Sequence, residues 1–291
     1  MKKVAITGSN GFVGTSLNKK LKDQFQLNLL SYEKLSDESL IRESLKDTPV
    51  LLHLAGISSV GDCEKNITEA YKVNVGLSCA MAEIFFRLNK GGHFIFTSTG
   101  QVYDEKEPVP HRETTKIAPG NTYARTKLCA ELSLSEIARL HEGRLTLLRM
   151  YNHTHKSQSS RFVLPSILKQ IQESTSNVVH LKVGNIEVDR DFSAIQDLIR
   201  ALSSLFQHRQ EFSSTEVYNL GSGVGKNLRQ LIFDLAARFG KKVEFEIEPT
   251  LLRANDPKRV IGDSSKFQTY FQWQSQSQSI SDFLDFFLED L

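Results

Sequence analysis

The stretch Val4-Ala5-Ile6-Thr7-Gly8-Ser9-Asn10-Gly11-Phe12-Val13-Gly14 decides the fold. A short apolar run of strand length meets a glycine-rich turn, and helical periodicity then runs from Gly11 to Lys22. Gly8 permits the tight turn, Gly11 lets a pyrophosphate approach backbone N–H groups at the helix N-terminus, and Gly14 lets helix pack closely on strand. Asn10, Phe12 and Val13 complete this candidate dinucleotide-binding turn. A glycine turn without a ligand is the plain alternative; the strand before it and the helix after it argue for the functional reading.

Outward from this turn the same alternation continues. Strand-length runs at Leu27–Ser31, Val50–Ala55, His93–Thr97 and Leu145–Met150 are separated by helical stretches at Glu38–Lys46, Ile67–Arg87 and Tyr123–Leu140. Nearly continuous apolar strands require burial on both faces, so the expected fold is α/β: a doubly wound parallel sheet of Rossmann type. The expected dinucleotide-binding domain is residues 1–155, completed by parts of 184–210, and residues 156–291 mainly form a smaller C-terminal α/β substrate lobe. In that lobe we expect a polar loop at Asn152–Arg161 and helices at Phe162–Glu173, Ala194–Gln207, Leu228–Phe239 and Ile280–Leu288. Strands are expected near Val178, at Val217–Leu220 and at Val243–Ile247. The Gln/Ser run Gln272–Ser279 reads as a solvated linker.

The chain has 291 residues, and its 36 basic side chains nearly cancel 34 acidic ones, leaving a net charge of +2. That balance offers no field for nucleic acid or an anionic membrane, so an anionic ligand must be held by locally placed groups. Cys63, Cys79 and Cys129 fit neither a disulfide framework nor a zinc site. With no long apolar stretch after Met1-Lys2-Lys3, a cytoplasmic, non-membrane location is expected. His153 and His155 lack a carboxylate or cysteine at ligand spacing, so no metal is expected.

Where the second strand ends, an acidic side chain would bind an unphosphorylated ribose and a basic one a 2′-phosphate. Ser31 and Tyr32 offer neither; Glu33 suits NAD and Lys34 suits NADP, and the balance leans slightly to NADP. Leu54-Ala55-Gly56 ends the next strand with small residues against which the adenosine half of a dinucleotide can lie. Tyr123 and Lys127, four residues apart, share one helix face. A lysine charge there would draw the phenol down toward working pH for proton exchange with a substrate oxygen. Thr99 ends a strand at the sheet's carboxyl edge, where it can hydrogen-bond the same oxygen.

Taken together, these residues resemble the extended short-chain dehydrogenase/reductase family, the NAD-dependent epimerase/dehydratase group of nucleotide-sugar enzymes. The likeness rests on Thr7–Gly14, Leu54–Gly56, Val73-Asn74-Val75, Thr99, and Tyr123 with Lys127. It continues through Arg149-Met150-Tyr151-Asn152, Arg190-Asp191-Phe192, Tyr218–Gly223 and Gly262–Lys266. It implies Tyr123 as acid/base, Lys127 on the nicotinamide ribose and Thr99 on the reacting oxygen, with the cofactor supplying hydride chemistry. It also implies a homodimer formed through Ile67–Arg87 and Tyr123–Leu140.

Dehydratases of this family carry a carboxylate pair after the active-site hydroxyl, whereas this chain has Gly100 and Gln101. Reduction of a keto sugar therefore leads, with epimerisation as the alternative and a noncatalytic dinucleotide sensor or scaffold as a third class. Arg149–His155 with Gly184–Phe192 looks most like the branch of GDP-linked 4-keto-6-deoxymannose reductases, departing from it at Lys156-Ser157, where a Gly-Pro-like turn is usual. Expected substrate contacts are Thr99, Gln101, Asn152, Arg190 and Arg253, the arginines on the diphosphate. An alternative for Arg190 is a salt bridge to Asp189 or Asp191.

Overall fold

The computed structural model describes residues 1–208, 215–252 and 256–291. The first half runs β1 (Lys3–Thr7), α1 (Phe12–Leu21), β2 (Gln26–Leu30), α2 (Glu38–Leu45), β3 (Val50–His53), α3 (Val60–Lys65), α4 (Ile67–Tyr71), α5 (Ser78–Leu88), β4 (His93–Thr99), α6 (Thr122–Leu140) and β5 (Arg144–Met150). The second half runs β6 (Asn152–Thr154), α7 (Val163–Glu173), β7 (Val178–Val183), β8 (Asp189–Ala194), α8 (Ile195–Gln207), β9 (Thr215–Leu220), β10 (Gly225–Asn227), α9 (Leu228–Ala237), β11 (Lys242–Ile247), β12 (Arg259–Val260), α10 (Ser265–Phe271) and α11 (Ile280–Leu288).

The main sheet has the order β2-β1-β3-β4-β5-β9, with every pairing parallel. Alternate strand residues feed two cores. Val4, Ile6, Val50, Leu52, Ile95 and Leu148 pack with α1, α8 and α10. Ala5, Leu51, Phe94, Phe96, Leu145 and Leu147 pack with α2, α5 and α6 on the other face. Burial on both faces is why these strands read as unbroken apolar runs. The strand order reverses between β1 and β3, so the crevice at their carboxyl ends is the switch point where ligands of such sheets sit.

Three features depart from the sequence reading. The helical stretch expected as Ile67–Arg87 is divided by a π-helical turn at Lys72–Leu77. The second half returns to the first domain beyond residue 210: β9 is the sixth strand, and Phe267, Phe271 and Trp273 join its core. Gln272–Ser279 is no solvated linker, because Trp273, Ser275 and Ser277 are buried while the residues between them face outward. Asp197, in the first turn of α8, accepts hydrogen bonds from Ser275 Oγ (2.6 Å), Gln276 N (2.9 Å), Ser277 N (3.1 Å) and the Ser277 hydroxyl. A buried carboxylate needs such donors, and this run supplies them.

The smaller lobe packs α7, α9 and α11 on the paired strands β7 and β11 around its own core. A second small sheet links the lobes: β8 pairs with β6, β10 and β12. Lys156 binds the end of α11, its Nζ donating to Leu288 O at 2.7 Å. Among the described residues, no helix is long and apolar enough to cross a membrane.

Candidate active site

The turn after β1 fits a dinucleotide pyrophosphate on its own geometry. Gly8 adopts φ +67, and a Cβ there would lie 2.8 Å from Ala55 N, so the turn touches the end of β3. A Cβ at Gly14 would lie 2.6 Å from Ser9 Cα. Gly11 caps α1 without a side-chain hydrogen bond, leaving the first N–H groups of the helix for an anion. Asn10 and Gly11 are exposed, Phe12 and Val13 half-buried. Thr7 Oγ1 fixes the two strand ends together, accepting from Leu54 N and Ala55 N (both 3.2 Å) and meeting His53 Nδ1 at 2.8 Å. Burial pushes His53 down to about 3, so it works as a neutral strut between Thr7 and Ser78. Glu33 lies in the turn after β2, where its backbone and the Ser31 hydroxyl hold its carboxyl below the ordinary range.

Tyr123, Lys127 and Thr99 come together at the carboxyl end of β4. The Thr99 side chain acts on the Tyr123 phenol, opposing the upward shift of its pKa, and its hydroxyl accepts from Gln101 N at 3.2 Å. Lys127 Nζ lies 4.3 Å from the centre of the Phe96 ring and 3.9 Å from where a Gly56 Cβ would stand. Burial pushes Lys127 down to about 8, while Glu131, one helical turn on, pulls it back up. The expected draw of Lys127 on the phenol is not what governs Tyr123. Burial pushes that phenol up to about 12 against the Thr99 side chain, so at neutral pH Tyr123 keeps its proton. A proton-bearing phenol beside a cation is in the state a proton donor needs.

Several supporting groups had no role assigned from sequence. Asn74, in the π-helical turn, accepts from Ile57 N at 2.8 Å and donates to Thr126 Oγ1 at 2.9 Å, fixing the Gly56 loop to α6. Glu131 binds Arg149 through two hydrogen bonds of 2.7 and 3.1 Å and accepts from the Ser98 hydroxyl. Arg149 Nη1 also donates to Tyr103 Oη at 3.1 Å, and Tyr103 Oη donates to Asn219 Oδ1 at 2.7 Å. The spacing of Lys127 and Glu131, four residues apart on α6, was the available signal for this network.

Gly100 packs face-on against Tyr151: a Cβ at Gly100 would lie 2.5 Å from Tyr151 Cζ, and one at Gly262 only 2.1 Å from its Cε2. Position 100 therefore has no room for a carboxylate side chain while Tyr151 stands there. Asn152, directly after Tyr151, pairs across to β8, and its Nδ2 reaches Asp191 O at 3.4 Å. Asp191 is buried and accepts from Ser222 N (2.8 Å), Ser222 Oγ (2.6 Å), Gly223 N (3.1 Å) and Gly262 N (3.3 Å). Arg190 forms an ion pair with Asp256, on a different segment from the Asp189 and Asp191 carboxylates expected from sequence. Its Nη2 binds Asp256 Oδ1 at 2.7 Å and its Nη1 the carbonyls of Asp189 and Lys258 at 3.0 and 3.4 Å. Arg253 lies outside the described residues. His155 is tied to Ser157 Oγ and Glu289 O, both at 2.8 Å, and among the described residues no cluster of metal-binding side chains occurs.

The family described as GDP-mannose 4,6 dehydratase matches residues 15–283. The chain belongs to this family. It is an enzyme of the extended short-chain dehydrogenase/reductase type. GDP-6-deoxy-D-mannose reductase of Pseudomonas aeruginosa is 27% identical over 282 residues, covering 93% of this chain and 91% of that protein. UDP-glucose 4-epimerase of Pisum sativum is 25% identical over 324 residues, covering 94% and 91%. Among solved structures, RMD from Pseudomonas aeruginosa complexed with NADPH has a TM-score of 0.83 at 26% identity, covering 99% of both chains. UDP-glucose 4-epimerase from Thermotoga maritima with UDP-glucose has a TM-score of 0.82 at 25% identity, covering 98% of both. The family's description names a dehydratase, and in this chain Thr99 is followed by Gly100 and Gln101.

Proposed function

We propose that the protein is an NAD(P)H-dependent reductase of the 4-keto group of a nucleoside-diphosphate 4-keto-6-deoxy sugar, with a GDP-linked sugar favoured. The observation that carries this reading is the Thr99, Tyr123 and Lys127 cluster followed by a glycine that cannot become acidic without displacing Tyr151. The similarity to a GDP-6-deoxy-D-mannose reductase and to a structure holding NADPH supports it.

A bound NAD(P)H would supply the hydride. Gly8, Asn10, Gly11, Phe12, Val13 and Gly14 would hold its pyrophosphate at the turn after β1, and Leu54, Ala55 and Gly56 would line its adenosine side. Tyr123 gives its proton to the carbonyl oxygen as that oxygen gains charge, Thr99 hydrogen-bonds the same oxygen, and Lys127 stabilises the phenolate left behind. The ketone thus gains one hydride on carbon and one proton on oxygen, and Tyr123 is reprotonated from solvent. Asn152, Arg190 and Arg253 are assigned to the sugar diphosphate, Arg190 by exchanging Asp256 for phosphate oxygens. The protein works in the cytoplasm as a homodimer through α4, α5 and α6; α4 exposes Ile67 (54%), and α6 exposes Leu132 (66%) and Leu140 (63%). A dimer mass by light scattering supports that assembly; a monomer at micromolar concentration contradicts it.

Similarity to UDP-glucose 4-epimerases over nearly the whole chain favours epimerisation as the second reading. Loss of NAD(P)H absorbance on adding GDP-4-keto-6-deoxymannose tests the first. Protein that retains NAD through dialysis and interconverts two sugars with no net NAD(P)H consumption supports the second.

A further inference from the structure

We propose that Asn121 is a positioning residue that fixes which edge of the Gln101 amide faces the sugar, so that this part of the cleft presents an N–H donor. The inference rests on the reductase reading and adds to it a group that sets the polarity of the sugar site.

One group beside Gln101 has a polarity that is not negotiable. The backbone N–H of Ala124, in the first turn of α6, can only donate, and it bonds Asn121 Oδ1 at 2.9 Å as the helix cap. Asn121 must therefore turn its NH₂ edge the other way. That NH₂ can only donate, and it meets the Gln101 side chain at 2.9 Å, which must present its oxygen, Oε1. The amide is planar, so the Gln101 NH₂ is left on the opposite edge, and among the described residues it has no hydrogen-bond partner. Gln101 is anchored at its backbone as well, where its N–H donates to Thr99 Oγ1 at 3.2 Å. The helix that carries Tyr123 and Lys127 thus dictates, through Asn121, the polarity of a side chain two residues beyond Thr99.

The chemical consequence is selective. An amide N–H donates to a carbonyl or hydroxyl oxygen and neither takes up nor gives away a proton at working pH. It can hold a keto sugar in place, and it cannot perform the proton transfers that water elimination requires. Asn121 also accounts for a carboxylate being absent at position 101 without loss of order there, since its own donor already satisfies Oε1.

The test is steady-state reduction of GDP-4-keto-6-deoxymannose by the wild type, Asn121→Asp, Asn121→Ser, Gln101→Met and the Asn121→Asp/Gln101→Met pair. NAD(P)H affinity and the thermal midpoint are measured in parallel. Aspartate and serine both keep the helix cap. Aspartate accepts where Nδ2 donated, so the Gln101 amide turns its oxygen to the cleft; serine releases the amide. Each single variant is expected to raise KM about tenfold, the worth of one hydrogen bond. Thermal midpoint and NAD(P)H affinity stay at wild-type values, and the double variant is no worse than the worse single one. Wild-type KM in both Asn121 variants, or fully additive effects in the pair, would overturn the proposal while leaving the reductase reading intact. A wild type that consumes no NAD(P)H with the keto sugar overturns the reductase reading, and the proposal with it.

Discussion

At the Thr7–Gly14 turn the working atoms are backbone, and the side chains matter mainly by being absent: Gly8 leaves room for Ala55, Gly14 for Ser9, and Gly11 caps α1 with nothing. At the lobe junction around Tyr151 the working atoms are side chains drawn from distant segments. Ser98, Glu131 and Arg149 form one buried chain; Tyr103 and Asn219 extend it; Asp191 gathers Ser222, Gly223 and Gly262. The proposed cofactor side is set by two short runs, Thr7–Gly14 and His53–Ala55, and the proposed substrate side by several segments joined through pairs 18 to 116 positions apart. A single substitution should act locally at the turn and spread across several segments at the junction.

Four experiments sharpen or break that contrast, taken from the largest expected effect down. Tyr123→Phe removes the proton that both regions serve to deliver. It should lower kcat by about 10²–10⁴-fold with NAD(P)H affinity unchanged, read by steady-state kinetics and fluorescence titration. Arg149→Met leaves the buried Glu131 without its partner and should cost about 3–5 kcal/mol of unfolding free energy in urea. An equally large loss of NAD(P)H affinity in that variant, under conditions where it stays folded, would break the separation between the two regions. Gly8→Ala forces a side chain into a left-handed conformation against Ala55 and should cost about 1–2 kcal/mol, with NAD(P)H binding weakened well beyond that of any junction variant. Ser277→Ala, which removes one of several donors to Asp197, should cost about 1 kcal/mol with kinetics unchanged.

The pH dependence separates the regions again. His53 and His93 are both held near 3 by burial, below the ordinary 6.5, so their neutral forms belong to the folded state. For a depressed histidine, the stabilisation is complete above pH 6.5 and is lost as pH falls toward 3. The urea midpoint should therefore drop over that acid window. Activity should respond on the alkaline side, where Lys127, held at about 8, loses its charge: kcat/KM for reduction should decline above that pH.

What the sequence made legible follows the same division. The five strands of the first half and the turn after β1 depend on neighbours in the chain, and alternation plus glycine spacing expose them. Tyr123 with Lys127 was legible because four residues make one helical face. The π-helical turn at Lys72–Leu77 was not, because Asn74 is recruited there by Ile57 and Thr126 from other segments. Gln272–Ser279 misled by composition: serine is polar in any average, yet Ser275 and Ser277 are buried because Asp197, on a different helix, needs donors. Arg190 showed its charge and not its partner, since Asp256 lies 66 residues away. The phenol of Tyr123 rises instead of falling, because its burial is a tertiary property that the spacing to Lys127 does not encode.

The central claim, hydride delivery to a sugar carbonyl with Tyr123 as proton donor, is tested most directly by following the label from NAD(P)H dideuterated at nicotinamide C4 into the sugar product. Reduction predicts one deuterium on C4 of a 6-deoxy sugar for each NAD(P)H consumed, with transfer suppressed in Tyr123→Phe. A product that carries no deuterium, or that has lost water, contradicts the account.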